Sequence, residues 1–168
     1  MELWDLYTED RILTGKSHVR GEALPENLFH LVVHVWIKNS KGQYLISQRA
    51  ADRPTCPLMW ETVGGSVLKG ESSLQGALRE VKEEAGIDLS PDKGKLIFSK
   101  VRKAMGRRKF NDILDVWCFE YDGEAHLDKA ETKEVEQSKW LRKEEIRKLY
   151  DEKLLVDTLS YFFENSDI

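Results

Sequence analysis

Three glutamates within one short stretch of the 168-residue chain have the spacing of a metal site. Glu80, Glu83 and Glu84 are three and four residues apart, so in a helix they share one face. Carboxylates this close repel one another by about 0.2–0.5 kcal/mol per pair, and Lys82 lies off that face. Because Mg²⁺ binds carboxylate oxygens and shares them with substrate phosphates, the spacing points to phosphate chemistry. A solvated acidic helix face is the simpler alternative for three glutamates alone.

The residues around these glutamates predict the helix that holds them. Ser72 and Gln75 have the spacing of a capping box, which marks a helix start. Gly86 stands where a left-handed residue would end the helix. Between these ends one apolar stripe repeats at three- and four-residue steps, formed by Leu74, Ala77, Leu78, Val81 and Ala85. The stripe indicates the face that packs on the core, and it leaves the glutamates on another face.

The stretch from Gly65 to Ile87 resembles the complete Nudix box. It reads G-x5-E-x7-R-E-V-x-E-E-x-G-I, and its fixed identities are Gly65, Glu71, Arg79, Glu80, Glu83, Glu84 and Gly86. With common residue types at roughly 5–10% each, such a match arises by chance on the order of once in 10⁸ windows. On this resemblance the chain is identified as a member of the Nudix hydrolase family, in the branch similar to isopentenyl diphosphate isomerase.

The resemblance implies both a fold and a reaction. The expected fold is α/β (α+β), an α/β/α sandwich around a mixed β-sheet, with Mg²⁺ or Mn²⁺ as the cofactor. The expected enzyme is a pyrophosphohydrolase, which cleaves a phosphoanhydride bond in a nucleoside diphosphate linked to another group or in a similar organic pyrophosphate. Metal ions on adjacent carboxylates neutralise the phosphates and activate water, as this hydrolysis requires.

Roles carry over to this chain by position in the motif. The predicted metal ligands are Glu80, Glu83, Glu84, Glu136 and the carbonyl of Gly65. The predicted catalytic residues are Glu71, Arg79, Glu80 and Glu83. Glu80 matches a residue that binds metal or accepts the proton of the attacking water, whereas Arg79 and Glu71 match a pair that orients the glutamates. Glu136 is chosen because it precedes Trp140 at the start of a late strand, and Glu134 is the second choice.

Basic residues outside the helix are the predicted contacts for substrate phosphates: Arg49, Arg53, Arg107 and Arg108. The last two belong to a basic segment, residues 102–109, between two predicted strands. A solvated hairpin tip is the alternative for that segment.

The remaining elements are read from periodicity and turn residues. Residues 1–28 are an N-terminal strand extension, and residues 1–168 are expected to form a single Nudix domain. Predicted strands are Leu28–Ile37, Tyr44–Arg49, Met59–Val63, Lys95–Val101 and Ile113–Tyr121. Predicted helices besides the box helix are Lys143–Tyr150 and Leu154–Phe163. Strand Met59–Val63 is expected to lead into Gly64 and Gly65, and the order strand, paired glycines, loop and helix brings backbone close to a phosphate.

Composition narrows the setting of the reaction. The net charge of −4 argues against general nucleic-acid binding and leaves a small phosphorylated molecule as the expected partner, with a homodimer also considered. No apolar run is long enough to cross a membrane, and the first residues lack the pattern of a signal peptide. Cys56 and Cys118 have no metal-type spacing, which favours reduced thiols and a cytoplasmic location.

Two other functions remain open on the sequence. An isomerase would need a catalytic cysteine and a nearby histidine where this chain has Gly64, Gly65 and Ser66, and Cys56 lies upstream of that place. A silent Nudix domain kept for binding or regulation would be expected to have lost a box glutamate, and this chain keeps them all. The intact box therefore favours the hydrolase.

Overall fold

The computed structural model describes residues 2–103 and 111–168. In these ranges the strands are β1 (Leu3–Tyr7), β2 (Leu13–Val19), β3 (His30–Lys38), β4 (Gln43–Arg49), β5 (Trp60–Glu61), β6 (Val63–Ser66), β7 (Gly94–Arg102), β8 (Asp112–Glu120) and β9 (Val135–Arg142). The α-helices are α1 (Ser73–Ala85) and α2 (Lys143–Asp151), and short 3₁₀ helices cover Pro91–Lys93, Leu127–Lys129 and Asp157–Phe163. None of the helices in these ranges has the length and apolar character needed to span a membrane.

A seven-stranded mixed sheet forms the centre of the protein. Its main path runs β5-β4-β3-β8-β7, with β6 also paired to β3 and β9 to β4. Strand β3 pairs in parallel with β8 from His30 opposite Asp112 to Lys38 opposite Glu120, and the other pairings of the sheet are antiparallel. Strand β3 is apolar along nearly its whole length because both of its faces are covered.

Helices cover the two faces of this sheet and bury two hydrophobic clusters. Val33, Val35 and Ile37 of β3 belong to the cluster beneath α1. Trp36, from the opposite face of β3, belongs to the second cluster, which also contains Ile146 of α2. Because successive side chains of β3 point to opposite faces of the sheet, this strand contributes to both hydrophobic clusters. This arrangement confirms the predicted α/β sandwich around a mixed sheet.

The N-terminal extension is a separate two-stranded antiparallel sheet of β1 and β2, as predicted for residues 1–28. It is joined to the main sheet by a bridge between Tyr7 and Phe29 and by Trp4, whose ring stacks on His30 at 4.1 Å. Near the turn of the hairpin, Arg11 forms a bidentate ion pair of 2.5–2.6 Å with Asp115 on β8. The hairpin is therefore fixed to the sheet along its length.

Two predicted element boundaries are wrong. The strand predicted to end at Val63 does not stop before the two glycines, because Gly64 and Gly65 lie inside β6, paired with His34 and Val33. A helix over Leu154–Phe163 is also wrong, because the described structure has only a 3₁₀ helix over Asp157–Phe163. Trp60 explains the late start: its N–H donates to the Leu154 carbonyl at 2.7 Å, and its carbonyl accepts from Val156 at 2.9 Å. That extended pairing holds residues 154–156 outside any helix.

Candidate active site

Helix α1 begins and ends at the residues that the sequence predicted. The Gln75 N–H donates to the Ser72 hydroxyl at 3.2 Å, and the Ser72 N–H donates to the Gln75 side chain at 2.8 Å. Gly86 ends the helix with a φ of 65°, a left-handed conformation that glycine adopts without strain. The capping box and the C-terminal glycine are confirmed, and they define the stretch of helix that presents the glutamates.

The acidic face of α1 lies partly inside the protein. The apolar stripe of α1 packs on the sheet, and this packing also buries the adjoining carboxylates. Glu80 is 9% and Glu84 is 7% exposed, whereas Glu83 is half-buried. The glutamates are therefore not the solvated helix face that the simpler interpretation would require.

Arg79 connects the box loop to the box helix. Its Nε donates to Glu71 Oε1 at 2.9 Å, and its Nη2 donates to the Ser66 carbonyl at 2.8 Å. Its Nη1 donates to Glu80 Oε1 and to Glu83 Oε2, both at 2.9 Å. Burial alone would lower the pKa of Arg79, but the hydrogen bonds to Glu71 and the charge of Glu80 outweigh it and raise that pKa. The structure thus brings together all four predicted catalytic residues around one guanidinium.

Two glutamates from outside the box complete the acidic cluster. Glu61 on β5 accepts from Arg49 Nη1 at 2.6 Å, and Glu134, just before β9, pairs with Arg53 at 2.7 Å. Both carboxylates act electrostatically on Glu84. We name Glu61, Glu80, Glu84 and Glu134 the carboxylate cluster. Sequence reasoning missed Glu61, whose only signal was its place in the predicted strand Met59–Val63, which leads into the box.

Glu136, the predicted downstream metal ligand, is placed differently from Glu134. Its side chain is exposed on β9. Glu134, not Glu136, is among the charges that most strongly affect Glu80 and Glu84. Backbone pairing explains the difference, because the Ala50 N–H donates to the Glu134 carbonyl at 2.8 Å and holds that residue beside β4.

Burial dominates the electrostatics of the carboxylate cluster. It raises the pKa of Glu80 to about 7, against the opposing charge of Arg79. It raises the pKa of Glu84 well above the ordinary carboxyl value, and repulsion from Glu80, Glu61 and Glu134 adds to the effect. It also raises the pKa of Glu61, although Arg49 opposes this. Negative charge is costly at these positions unless a cation accompanies it.

The donor set fits a hard divalent cation such as Mg²⁺ or Mn²⁺. Across residues 2–103 and 111–168, no three His, Cys, Asp or Glu side chains are grouped as a ready-made metal site. The oxygens are nevertheless of the type these ions prefer, and no described cation forms an ion pair with Glu84. At Gly65 a Cβ would collide with the Glu80 carboxylate. The bare glycine therefore leaves the space in which that carboxylate lies against backbone.

A small cavity adjoins this region on the face of the sheet away from α1. Its volume is about 120 Å³, and its lining includes Glu61, Gly65, His34 and Thr158. The Nδ1 of His34 lies 2.9 Å from the hydroxyl of Tyr161, which also accepts a hydrogen bond from the indole N–H of Trp36. Glu61 thus belongs both to the carboxylate cluster and to the lining of this polar cavity.

The predicted substrate-binding arginines have different placements. Arg49 and Arg53 lie at the carboxylate cluster through their pairs with Glu61 and Glu134. Arg107 and Arg108 lie outside the described residues. All four assignments remain predictions.

Comparison with known proteins identifies the class. The NUDIX domain family model matches residues 28–160, which covers most of the chain and all of the carboxylate cluster. The chain is 42% identical over 168 residues to an uncharacterised Nudix hydrolase of Listeria innocua, covering 98% of this chain and 92% of that protein. This chain therefore belongs to the Nudix hydrolase family, enzymes that hydrolyse acid anhydrides.

Two further likenesses bear on the fold and on the isomerase alternative. The crystal structure of DR0079 from Deinococcus radiodurans has a TM-score of 0.75 at 20% identity and covers 96% of both chains, which supports the fold alone. The isopentenyl-diphosphate Delta-isomerase of Escherichia coli is 33% identical over 79 residues, which span 46% of this chain and 43% of that protein. The isomerase likeness is therefore partial.

Proposed function

We propose that this protein hydrolyses a phosphoanhydride bond in a small organic diphosphate, such as a nucleoside diphosphate linked to another group, with Mg²⁺ or Mn²⁺ as its cofactor. The observation that carries the proposal is the carboxylate cluster, in which four glutamates from three separate segments converge in a largely buried site. We also propose that residues 1–168 act as one Nudix domain. A cytoplasmic location and a homodimer stay predictions.

The residues of the site have distinct tasks in this proposal. Glu80, Glu83 and Glu84, with the Gly65 carbonyl, would hold the metal ion, which supplies charge neutralisation for the phosphates and lowers the pKa of a bound water. Arg79 and Glu71 hold the box loop against α1 and so orient Glu80 and Glu83. Glu61 and Glu134 add negative charge that acts on Glu84. Arg49 and Arg53, which pair with Glu61 and Glu134, would offer their guanidinium groups to the phosphate oxygens.

Chromatographic detection of the two phosphorylated products tests the hydrolase, because cleavage between the two phosphates leaves one phosphate on each product. The substrates are a panel of nucleoside diphosphate-linked compounds, assayed with Mg²⁺ or Mn²⁺. We expect hydrolysis of at least one, and a loss of about 10²-fold or more in kcat for Glu83→Gln and Glu84→Gln, because each removes a carboxylate that would hold the metal ion, whose positive charge stabilises the transition state. Glu144→Gln, an exposed glutamate on α2, is the matched control and should retain full activity.

The same assay addresses the two alternative functions. Cys56 is exposed and lines a separate cavity of about 630 Å³ with Met59 and Tyr150, so it is not among the carboxylate cluster as an isomerase cysteine would be. Conversion of isopentenyl diphosphate without phosphate release would favour the isomerase. Binding of a diphosphate with no turnover of any compound would favour a silent module.

A further inference from the structure

The N-terminal hairpin contacts the loop that joins β6 to α1. The Lys69 N–H donates to the Leu3 carbonyl at 2.8 Å, and the Gly70 N–H donates to the Asp5 carboxylate at 2.8 Å. These two bonds connect β1 directly to the Nudix box. The family match begins at residue 28, so the hairpin lies outside the matched region yet borders its catalytic loop.

Arg20 lies at the end of the hairpin that contacts the box loop. Val19 pairs with Leu3, and the Arg20 N–H donates to the Glu2 carbonyl at 3.0 Å, so Arg20 lies one residue beyond the strand pair that contacts the box loop. The charges of Glu134 and Glu80 both act on its guanidinium. A cation from the extension is thus placed within electrostatic range of two members of the carboxylate cluster.

The ion pair of Arg20 is the easiest to break among the arginines of this region. Its Nη1 lies 2.7 Å from Glu2, and these side chains are 52% and 44% exposed. In contrast, the side chains of Arg49, Arg53 and Arg79 are only 14%, 21% and 20% exposed in their pairs. Exposed ion pairs add little to stability, so Arg20 can exchange Glu2 for a phosphate at little cost.

We propose that Arg20 is a substrate-binding residue that contacts a phosphate of the diphosphate, and that the hairpin is thereby part of the substrate site. This inference rests on the proposed function. A metal ion held on α1 would bind only some of the non-bridging oxygens of a diphosphate, and the planar guanidinium can form paired hydrogen bonds with the others. The ligand chemistry recognised is a diphosphate with free non-bridging oxygens.

Binding of methylenediphosphonate, a diphosphate that cannot be hydrolysed, tests the contact without requiring turnover. Titration calorimetry with Mg²⁺ present should give a Kd for Arg20→Gln at least about 10-fold weaker than that of the wild type, and Arg20→Lys should recover part of the loss. Lys16→Gln is the matched control, because it removes one positive charge from an exposed position on the same hairpin. Its Kd should equal the wild-type value.

Steady-state kinetics on whichever panel substrate is hydrolysed separates binding from structural damage. We expect Arg20→Gln to raise KM at least about 10-fold with a much smaller change in kcat and an unchanged Tm, because its ion pair with Glu2 is exposed. Glu2→Gln should leave KM unchanged or lower it, since it frees Arg20.

Unchanged Kd and KM in Arg20→Gln, in a wild type that binds and hydrolyses, would overturn the role of Arg20 and leave the proposed hydrolase intact. A wild type that neither binds the diphosphonate nor hydrolyses any compound would overturn both.

Discussion

Glu84 is buried beside Glu80 and, in the described ranges, has no ion pair with a cation. Folding without metal must therefore place this carboxylate in a low-dielectric site next to other negative groups. We expect Glu84→Gln to raise the free energy of unfolding of the metal-free protein by roughly 1 kcal/mol, because the amide keeps the shape and removes the charge. Urea unfolding in chelator measures this change, and the same variant should lose activity. A variant that is both less stable and fully active would contradict the assignment of Glu84 to a metal site.

Arg79 depends on the shape of its side chain as well as its charge. Its guanidinium donates hydrogen bonds at once to Glu71, Glu80, Glu83 and the Ser66 carbonyl. A lysine ammonium is a single point of charge and cannot reach all of these acceptors. We expect Arg79→Lys to lower kcat/KM by about 10–100-fold, the usual effect of losing a group that orients metal ligands. The rate of product formation at increasing Mg²⁺ measures the effect. If Arg79→Lys had the same kcat/KM as the wild type even at low Mg²⁺, orientation of the glutamates by Arg79 would be unnecessary.

At the scale of elements, the hairpin of β1 and β2 depends on one buried charge. The Asp115 side chain is fully buried, and Arg11 neutralises it from the hairpin turn. Arg11→Ala leaves that carboxylate without its cation, although Ser99 still donates to it at 2.6 Å. We expect a loss of roughly 2–3 kcal/mol in the free energy of unfolding. Glu2→Gln removes only an exposed pair and should cost under about 0.5 kcal/mol in the same urea titration.

His30 makes the contact between β1 and β3 sensitive to acid. Burial lowers the pKa of His30 to about 4, below the ordinary value of 6.5, as its ring stacks on Trp4. Between pH 6.5 and 4 the histidine is protonated in the unfolded chain but not in the folded protein. The free energy of unfolding is therefore undiminished above pH 6.5 and falls by up to roughly 3 kcal/mol as the pH drops to 4. His30→Phe should remove this part of the pH dependence, measured as the difference between the two proteins in urea unfolding. Parallel curves for both proteins would contradict it.

Local signals in the sequence predicted the box helix, whereas long-range contacts decided the rest of the site. Ser72, Gln75 and Gly86 fix α1 through bonds within a few residues, and such bonds can be read from spacing. Glu61 reaches the carboxylate cluster only because β5 pairs with β4 in a particular register, and Glu134 only because it pairs with the β4 end. The helical pattern after Leu154 failed for the same reason, since Trp60 holds residues 154–156 extended.

At the scale of the whole molecule, the two hydrophobic cores share one sheet, and β6 carries Gly65 between them. The match to the Nudix family covers residues 28–160, and the hairpin adds a layer that borders the catalytic loop. Under the proposed function, α1 would supply the carboxylates for the metal, while the hairpin bonds to the box loop and Arg53, in the loop after β4, pairs with Glu134. We therefore expect the choice of diphosphate to depend on these peripheral segments.

Metal binding should stabilise the whole protein if the carboxylate cluster is the metal site. A ligand at 100 times its Kd adds about 2.7 kcal/mol to the folded state, and for a chain of this size each kcal/mol corresponds to about 2–4 °C. We therefore expect Mg²⁺ or Mn²⁺ to raise the Tm by roughly 5–10 °C over the value in chelator, measured by calorimetry. The double variant Glu80→Gln, Glu84→Gln should lose this shift, because the carboxylates that repel one another without metal are the ones a cation neutralises. Glu144→Gln should keep it, and an equal shift in the double variant would place the cation elsewhere.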